Sequence, residues 1–276
     1  MILKDVLPSP VLHEYIRKHQ IIRFVFGADI VLPFKAYSPR LEHCLAFYLR
    51  DTHKVGYIQN ENPITQPKCT LHGQHTVLTN RYVAHDFWAL QIVFQPGALY
   101  RLTGIPSYEL TNTFIDAEAI WGKEIRNAHE QMSNTDDVDE AIKIAELFLI
   151  KIAQQSKRYT HGIDDIGRLI LKQNQPVSIN KLADKACLSI RQFSRKFNER
   201  MGISPKVFDR IVRFENAFRM KNTHPDLDWL SIALACGYYD YQHLVKDYKE
   251  FTNLTPTGFY EADTKAPERA FGVVET

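Results

Sequence analysis

Three groups of residues in this chain have types that can do chemistry. Cys69-x-x-His72-x-x-His75 places three metal-donor side chains close together, and His43 stands beside Cys44. The first is a candidate metal set and the second a candidate thiolate nucleophile with its base. Spacing argues against both. In an extended strand, residues three apart face opposite sides and direct neighbours point apart. The trio therefore converges only around a turn, and His43 does not meet Cys44. No P-loop, dinucleotide fingerprint or G-x-S-x-G is present. The expectation is a protein without metal, cofactor or catalytic residue, and so not an enzyme.

The third group is charge. The 276-residue chain carries a formal charge of only +2. Between Lys181 and Lys221, however, eleven lysines and arginines face four carboxylates. A basic segment inside a near-neutral chain implies one anionic partner reached from one region. The four cysteines are scattered without a C-x-x-C pair. The N-terminus lacks the apolar core of a signal peptide, and no apolar run has the length of a membrane span. These features predict a cytoplasmic protein with reduced thiols and no membrane contact.

Two halves of different periodicity must position these groups. Strands are expected at 23–34, 44–49, 54–59, 75–79 and 87–94. Trp88, Leu90, Ile92 and Phe94 alternate as on one buried sheet face. A short helix should follow Gln95-Pro96-Gly97 and stop at Gly104. From Asp136 the period changes to three-to-four through Val138, Ile142, Ala145, Phe148 and Ile152. This predicts a long amphipathic helix over 136–155, able to pack on its own domain or to pair with a second copy. The polar stretch around Gly162 marks a boundary, dividing the chain into 1–157, 163–261 and a loose tail, 262–276. The fold class is α+β, with a β-rich N-terminal domain and an all-α C-terminal one.

The helical half contains a repeat. Residues 182–197, LADKACLSIRQFSRKF, align with 232–248, IALACGYYDYQHLVKDY. Ala183 matches Ala233, Phe193 matches Leu244, and Phe197 matches Tyr248. Each copy has helix-turn-helix grammar: a small residue for close helix approach, a tight turn, and a capped second helix. Ser189 with Gln192 forms a capping box in the first copy, and Asp240 is the cap in the second. Ser204-Pro205 starts a connecting helix that runs to about Lys221, with Phe208, Ile211, Phe214 and Phe218 inward.

In combination these motifs are similar to the AraC/XylS family of bacterial transcription regulators. They are the serine-capped F-S-R-K-F helix, G-I-S-P at 202–205, C-G-Y, the D-x-Q-H helix and L-T-P-x-x-F-Y. Cys187 and Asn253 stand where the family usually has glycine. More weakly, PSPVLHEYI, GQHTVLT and FQPGALYRLTGIP resemble an uncharacterised β-rich sensor domain, which implies a compact, cupin-like fold.

The resemblance implies that the second helix of each unit enters a major groove of double-stranded DNA. Arg191, Ser194 and Arg195 then face bases in the first unit, where arginine suits guanine. Tyr241, Gln242, Val245 and Lys246 take those places in the second. Ser189, Lys196, Arg200 and Lys206 are expected at phosphates. His243 is expected to be packed and hydrogen-bonded. Asp240 and Asp247 should offset Lys246 and Lys249. The first unit therefore supplies more affinity, while the second adds selectivity or meets RNA polymerase. Some DNA-repair methyltransferases share this type of region, but their P-C-H-R context is absent here. The N-terminal half is expected to answer to a small-molecule effector. The alternative is a protein partner or homodimerisation through helix 136–155.

Overall fold

The computed structural model describes residues 2–32, 34–57, 62–173, 178–266 and 269. Its β-rich half contains strands β1 (Ile2–Val6), β2 (Ile16–Val25), β3 (Lys35–Tyr37), β4 (Cys44–Tyr48), β5 (Lys54–Tyr57), β6 (Ile64–Thr65), β7 (Cys69–His72), β8 (Thr79–Tyr82), β9 (Asp86–Phe94) and β10 (Phe114–Asp116). They form two sheets, ordered β1-β2-β9-β4-β7-β10 and β3-β8-β5-β6. Within each sheet the neighbours pair antiparallel.

The alternation along β9 predicts one buried face, yet residues 87–94 are all buried. Trp88, Leu90, Ile92 and Phe94 pack in a core shared with the helices α2 (Glu118–Ser133) and α3 (Val138–Gln155), whereas Phe87 and Ala89 pack with Phe24, Ala46 and Tyr48. A strand lying between two apolar layers has no solvent face, so both sets of side chains are inside. The same burial hides β7, whose four residues are all buried. Two expected strands shift. The first starts earlier, at Ile16, and ends before Gly27. The one over 75–79 begins only at Thr79. Residues 58 and 59 of the third lie outside the described residues.

The short helix after β9 is α1 (Ala98–Thr103), closed by Gly104 in the left-handed region at φ 78°. Helix α3 is capped by Asp137 and lays Ile142, Ala145, Phe148, Leu149 and Ile152 on its own half. Of its large apolar residues only Leu147 is exposed, at 69%.

The helical half comprises α4 (Gly162–Leu171), α5 (Ile179–Lys185), α6 (Ile190–Met201), α7 (Pro205–Thr223), α8 (Trp229–Ala235), α9 (Tyr241–Thr252) and α10 (Pro256–Asp263). Phe208, Ile211, Phe214 and Phe218 of α7 are buried together with Phe193, Phe197, Leu244 and Tyr248. Leu41 and Leu78 of the β-rich half join this cluster, so the two halves share apolar packing. The expected tail starts inside α10. Ala266 is buried, and Arg269 returns to Asp263 and to Asn222 at 2.9 Å. Residues 267, 268 and 270–276 lie outside the described residues. Among the described residues no helix is long and apolar enough to cross a membrane.

His43, His53, His72 and His75 are all buried in the β-rich half. Burial, reinforced by the positive charge of Arg81, pushes His75 down to about 3. Burial likewise pushes His43 down to about 4, against a hydrogen bond to the Met201 backbone. The unfolded chain takes up protons below about pH 6.5, which the native state refuses. This contribution is complete above pH 6.5 and is lost as pH falls toward 4. Melting temperature should thus be level from pH 8 to 7 and fall steeply below 6.5, with His75→Gln showing a shallower acid limb. A level profile down to pH 5 would refute the assignment.

Candidate nucleic-acid interface

Two helix-turn-helix units flank α7. In the first, the α5–α6 turn places Cys187 at φ 54°, a conformation for which glycine is better suited. The Ser189 hydroxyl accepts from Gln192 N at 3.3 Å, and Gln192 Oε1 accepts from Ser189 N at 3.2 Å, which completes the capping box. In the second, Gly237 takes the tight turn at φ 77°, and Asp240 Oδ1 accepts from His243 N at 2.9 Å. Asn253 closes α9 in the left-handed region at φ 59°.

These caps fix which helix face looks outward. Phe193 and Phe197 are fully buried, which turns Arg191 and Arg195 to solvent with Ser194 half-buried between them. Leu244 and Tyr248 do the same in α9. They leave Gln242 and Lys246 exposed, with Tyr241 and Val245 half-buried beside them. Each candidate base-reading set thus shares one accessible face near a helix N-terminus. Two exposed groups join them that sequence reasoning missed or misplaced. Tyr239 is 86% exposed just before the Asp240 cap. His243 is exposed rather than packed, with Nδ1 held 2.9 Å from Asp240 Oδ1 and its ring edge-on to Tyr239. The signal was the cap itself, since a residue bonded back to an N-cap stays in the exposed first turn.

Among the phosphate candidates, Lys206 is exposed and Lys196 half-buried, while the Ser189 hydroxyl is committed to its cap. Arg200 is not at this surface. Its guanidinium grips Asp164 through Nε at 2.5 Å and Nη2 at 2.6 Å, with both side chains buried. Three places beyond the buried Phe197, it lies on the inner face of α6.

Other cations of the basic segment are also engaged internally. Arg210 ties α7 to α9 through Asp247 at 2.7 Å and Glu250 at 2.6 Å. Asp247 therefore does not offset Lys246. Arg213 pairs with Asp209 at 3.4 Å, and Lys221 donates to the carbonyls of Pro225 and Leu227. Among the described residues, Lys181, Lys185, Arg191, Arg195, Lys196 and Lys206 form no ion pair. All of these belong to the first unit or its immediate exit.

The end of α6 is built into the other half of the molecule. The Ser107 hydroxyl donates to Arg200 O at 2.9 Å, Thr111 donates to Gly202 O at 2.7 Å, and the His43 ring donates to Met201 O. Three successive carbonyls at the C-terminus of the first recognition helix thereby receive β-half donors in place of the helix bonds they lack. Gly97 is needed at this contact, because a Cβ there would stand 1.9 Å from Asp164 Oδ1.

The alternative chemistries take other shapes. The His72 and His75 rings are 6.2 Å apart, while Cys69 packs in the apolar core on the helix side. The Cys44 thiol is buried and pushed up to about 12, so it stays protonated at neutral pH.

Residues 182–262 match the profile of a helix-turn-helix domain, and residues 4–116 match a domain of unknown function, DUF6597. An uncharacterized HTH-type transcriptional regulator of Haemophilus influenzae is 34% identical over 82 residues, covering 29% of this chain and 27% of that one. The HTH-type transcriptional regulator MtrA of Neisseria gonorrhoeae is 28% identical over 102 residues, covering 37% and 33%. The chain thus spans about a quarter to a third of the length of these relatives. Among solved structures, an apo variant of ToxT from Vibrio cholerae superposes with a TM-score of 0.48 at 10% identity, covering 88% of this chain and 97% of that one.

The buried pair and the exposed arginines should respond differently to substitution. Arg200→Met leaves Asp164 buried without its cation and should lower unfolding free energy by about 3–5 kcal/mol. Adding Asp164→Asn should recover part of that loss. Arg195→Ala should leave the unfolding free energy within about 0.5 kcal/mol of the parent. Equal destabilisation by Arg200→Met and Arg195→Ala in urea titrations would contradict this placement.

Proposed function

We propose that this chain, an AraC-type helix-turn-helix protein, regulates transcription by reading two adjacent major grooves of one DNA duplex. The observation that carries this reading is the pair of exposed, capped recognition helices on either side of α7. That helix has 19 residues and spans roughly 28 Å at ~1.5 Å per residue. Successive major grooves on one duplex face lie about 34 Å apart, so one chain can address both. Arg191 and Arg195 present guanidinium forks suited to guanine, and Gln242 suits adenine. Lys246, Tyr241 and Val245 complete the second reading face, with Tyr239 and His243 at its edge. Lys196 and Lys206 hold phosphates, and the unpaired cations make the first unit the stronger contributor to affinity.

Control by a small molecule is the regulatory reading we favour, through the contact between the halves. A cleft of about 440 Å³ lies there, lined by Arg17, Arg40 and Glu42 on one side and by Arg168, Glu215 and Phe218 on the other. Leu41 N donates to Glu215 on α7 at 3.2 Å. A change inside the β-rich half can therefore reach both the C-terminus of α6 and the middle of α7. Homodimerisation through α3 receives less support, because its apolar stripe is already covered by its own half.

Selection of bound sequences from random duplex DNA with the full chain tests the reading. The expected product is one site with two short boxes about a helical turn apart. Affinity for that site should fall steeply between 50 and 200 mM salt, by about a factor of ten or more. Arg195→Ala should weaken binding roughly 5-fold to 150-fold and relax one base position, with Lys246→Ala costing less. Absence of enrichment at low salt would remove the DNA-reading proposal, and equal losses from the two substitutions would remove the asymmetry.

A further inference from the structure

The β-rich half holds a partly open cavity of about 60 Å³ between its two sheets. Its walls are apolar along Leu3, Ile22, Phe24, Val83 and Phe87. Into them project Arg81, His53, Gln20 and Gln91, all at least nine-tenths buried. Arg81 is the anomaly. Its guanidinium lies 3.8 Å from the centre of the Tyr37 ring, and among the described residues it meets no carboxylate and forms no hydrogen bond through Nε. Both ring nitrogens of His53 also lack a partner. A ring face compensates a buried cation only in part, and a buried polar atom without a partner is costly. Burial, and after it the charge of Arg81, hold His53 well below the usual histidine range. The site thus presents the buried Arg81 cation beside a neutral hydrogen-bonding ring, with Lys35 as a second cation on its lining.

We propose that this cavity is the site of a small organic anion, a monocarboxylate on an apolar chain of a few carbons, whose carboxylate lies on Arg81 and whose chain lies along Phe24 and Phe87. The guanidinium fork is the group best matched to a carboxylate. The space suits such a ligand, since one water occupies ~10–15 Å³ on this measure and the cavity therefore holds about five atoms of that size. Inorganic phosphate, which needs donors on several sides, is disfavoured because most of the wall is apolar. The Tyr37 ring links the site to the rest of the molecule. It also carries Arg40 at 4.6 Å, and Arg40 lines the cleft against α7. This inference rests on the effector reading above and gives that effector its chemical class.

The test is thermal denaturation of the full chain with sodium butyrate, with butyramide as its neutral counterpart, and with phosphate, all at constant ionic strength. Butyrate is expected to raise the melting temperature by ~2–4 °C with saturation, and the other two not to do so. Arg81→Met should melt higher than the parent without ligand, because an unpaired buried cation is gone, and should lose the butyrate response. Arg81→Lys should fold and respond more weakly. An equal response to butyrate and butyramide, a butyrate response that survives Arg81→Met, or a lower melting point for that variant would each overturn the proposal. So would a parent protein that butyrate leaves unchanged. DNA binding is measured separately on the selected site. If DNA binding is intact and butyrate does not bind, the ligand class fails alone. If butyrate binds and no DNA is selected, the regulatory reading fails and the site stands.

Discussion

The Asp164–Arg200 ion pair is the constraint around which the two halves are arranged. Both partners are buried, and the contact is made through two donors. A pair of this kind adds little net stability compared with an apolar replacement, but it tolerates few alternative geometries. Here that selectivity is directed at position. Arg200 belongs to the last turn of the first recognition helix, and Asp164 lies in the first turn of α4, where it also accepts from His161 N at 3.1 Å. Fixing Arg200 fixes the axial placement of α6, and the Ser107, Thr111 and His43 donors hold its final carbonyls to the β-rich half. Rotation of α6 would have to break charge-assisted and neutral hydrogen bonds together.

Charge around the two units follows the same division between structure and surface. Arginines that set helix positions meet carboxylates and are withdrawn from any partner, as Arg210 is by Asp247 and Glu250. Arg191 and Arg195 remain exposed in the N-terminal turns of α6, with Lys181 and Lys185 exposed on the helix before it and Arg219 exposed late in α7. A count of basic residues thus overstates what a polyanion meets.

The sequence was most legible where local chemistry decides the outcome. The caps at Ser189, Ser204 and Asp240, the turn at Gly237, and the inward stripe of α7 all depend on residues within a few positions of one another. The left-handed Asn253 and Cys187 could be located because they stand where the resembling family usually has glycine. Legibility failed where tertiary burial set the pattern. Strand β7 has no alternation to read, because both of its faces are covered. Helix α2 escaped notice, although Ile125, Ala128 and Met132 carry its buried spacing. Arg200 and Asp247 were misplaced because a charged residue on a helix gives no local sign of a partner about forty positions away.

The β-rich half is unusual in keeping so much polarity inside. Gln66, Tyr57, His53 and His72 all hold buried polar atoms without partners, and Arg81 adds a charge among them. A half evolved only as a spacer would gain stability from apolar residues at these positions, since removing both members of a polar contact is nearly neutral whereas leaving one alone is costly. Of these, His53 and Arg81 line the cavity between the sheets, whose energy therefore depends on what fills it. The Tyr37 ring lines that cavity and lies under Arg40, which lines the cleft against α7, and the same half caps α6, so the packing is continuous from the cavity to both helices.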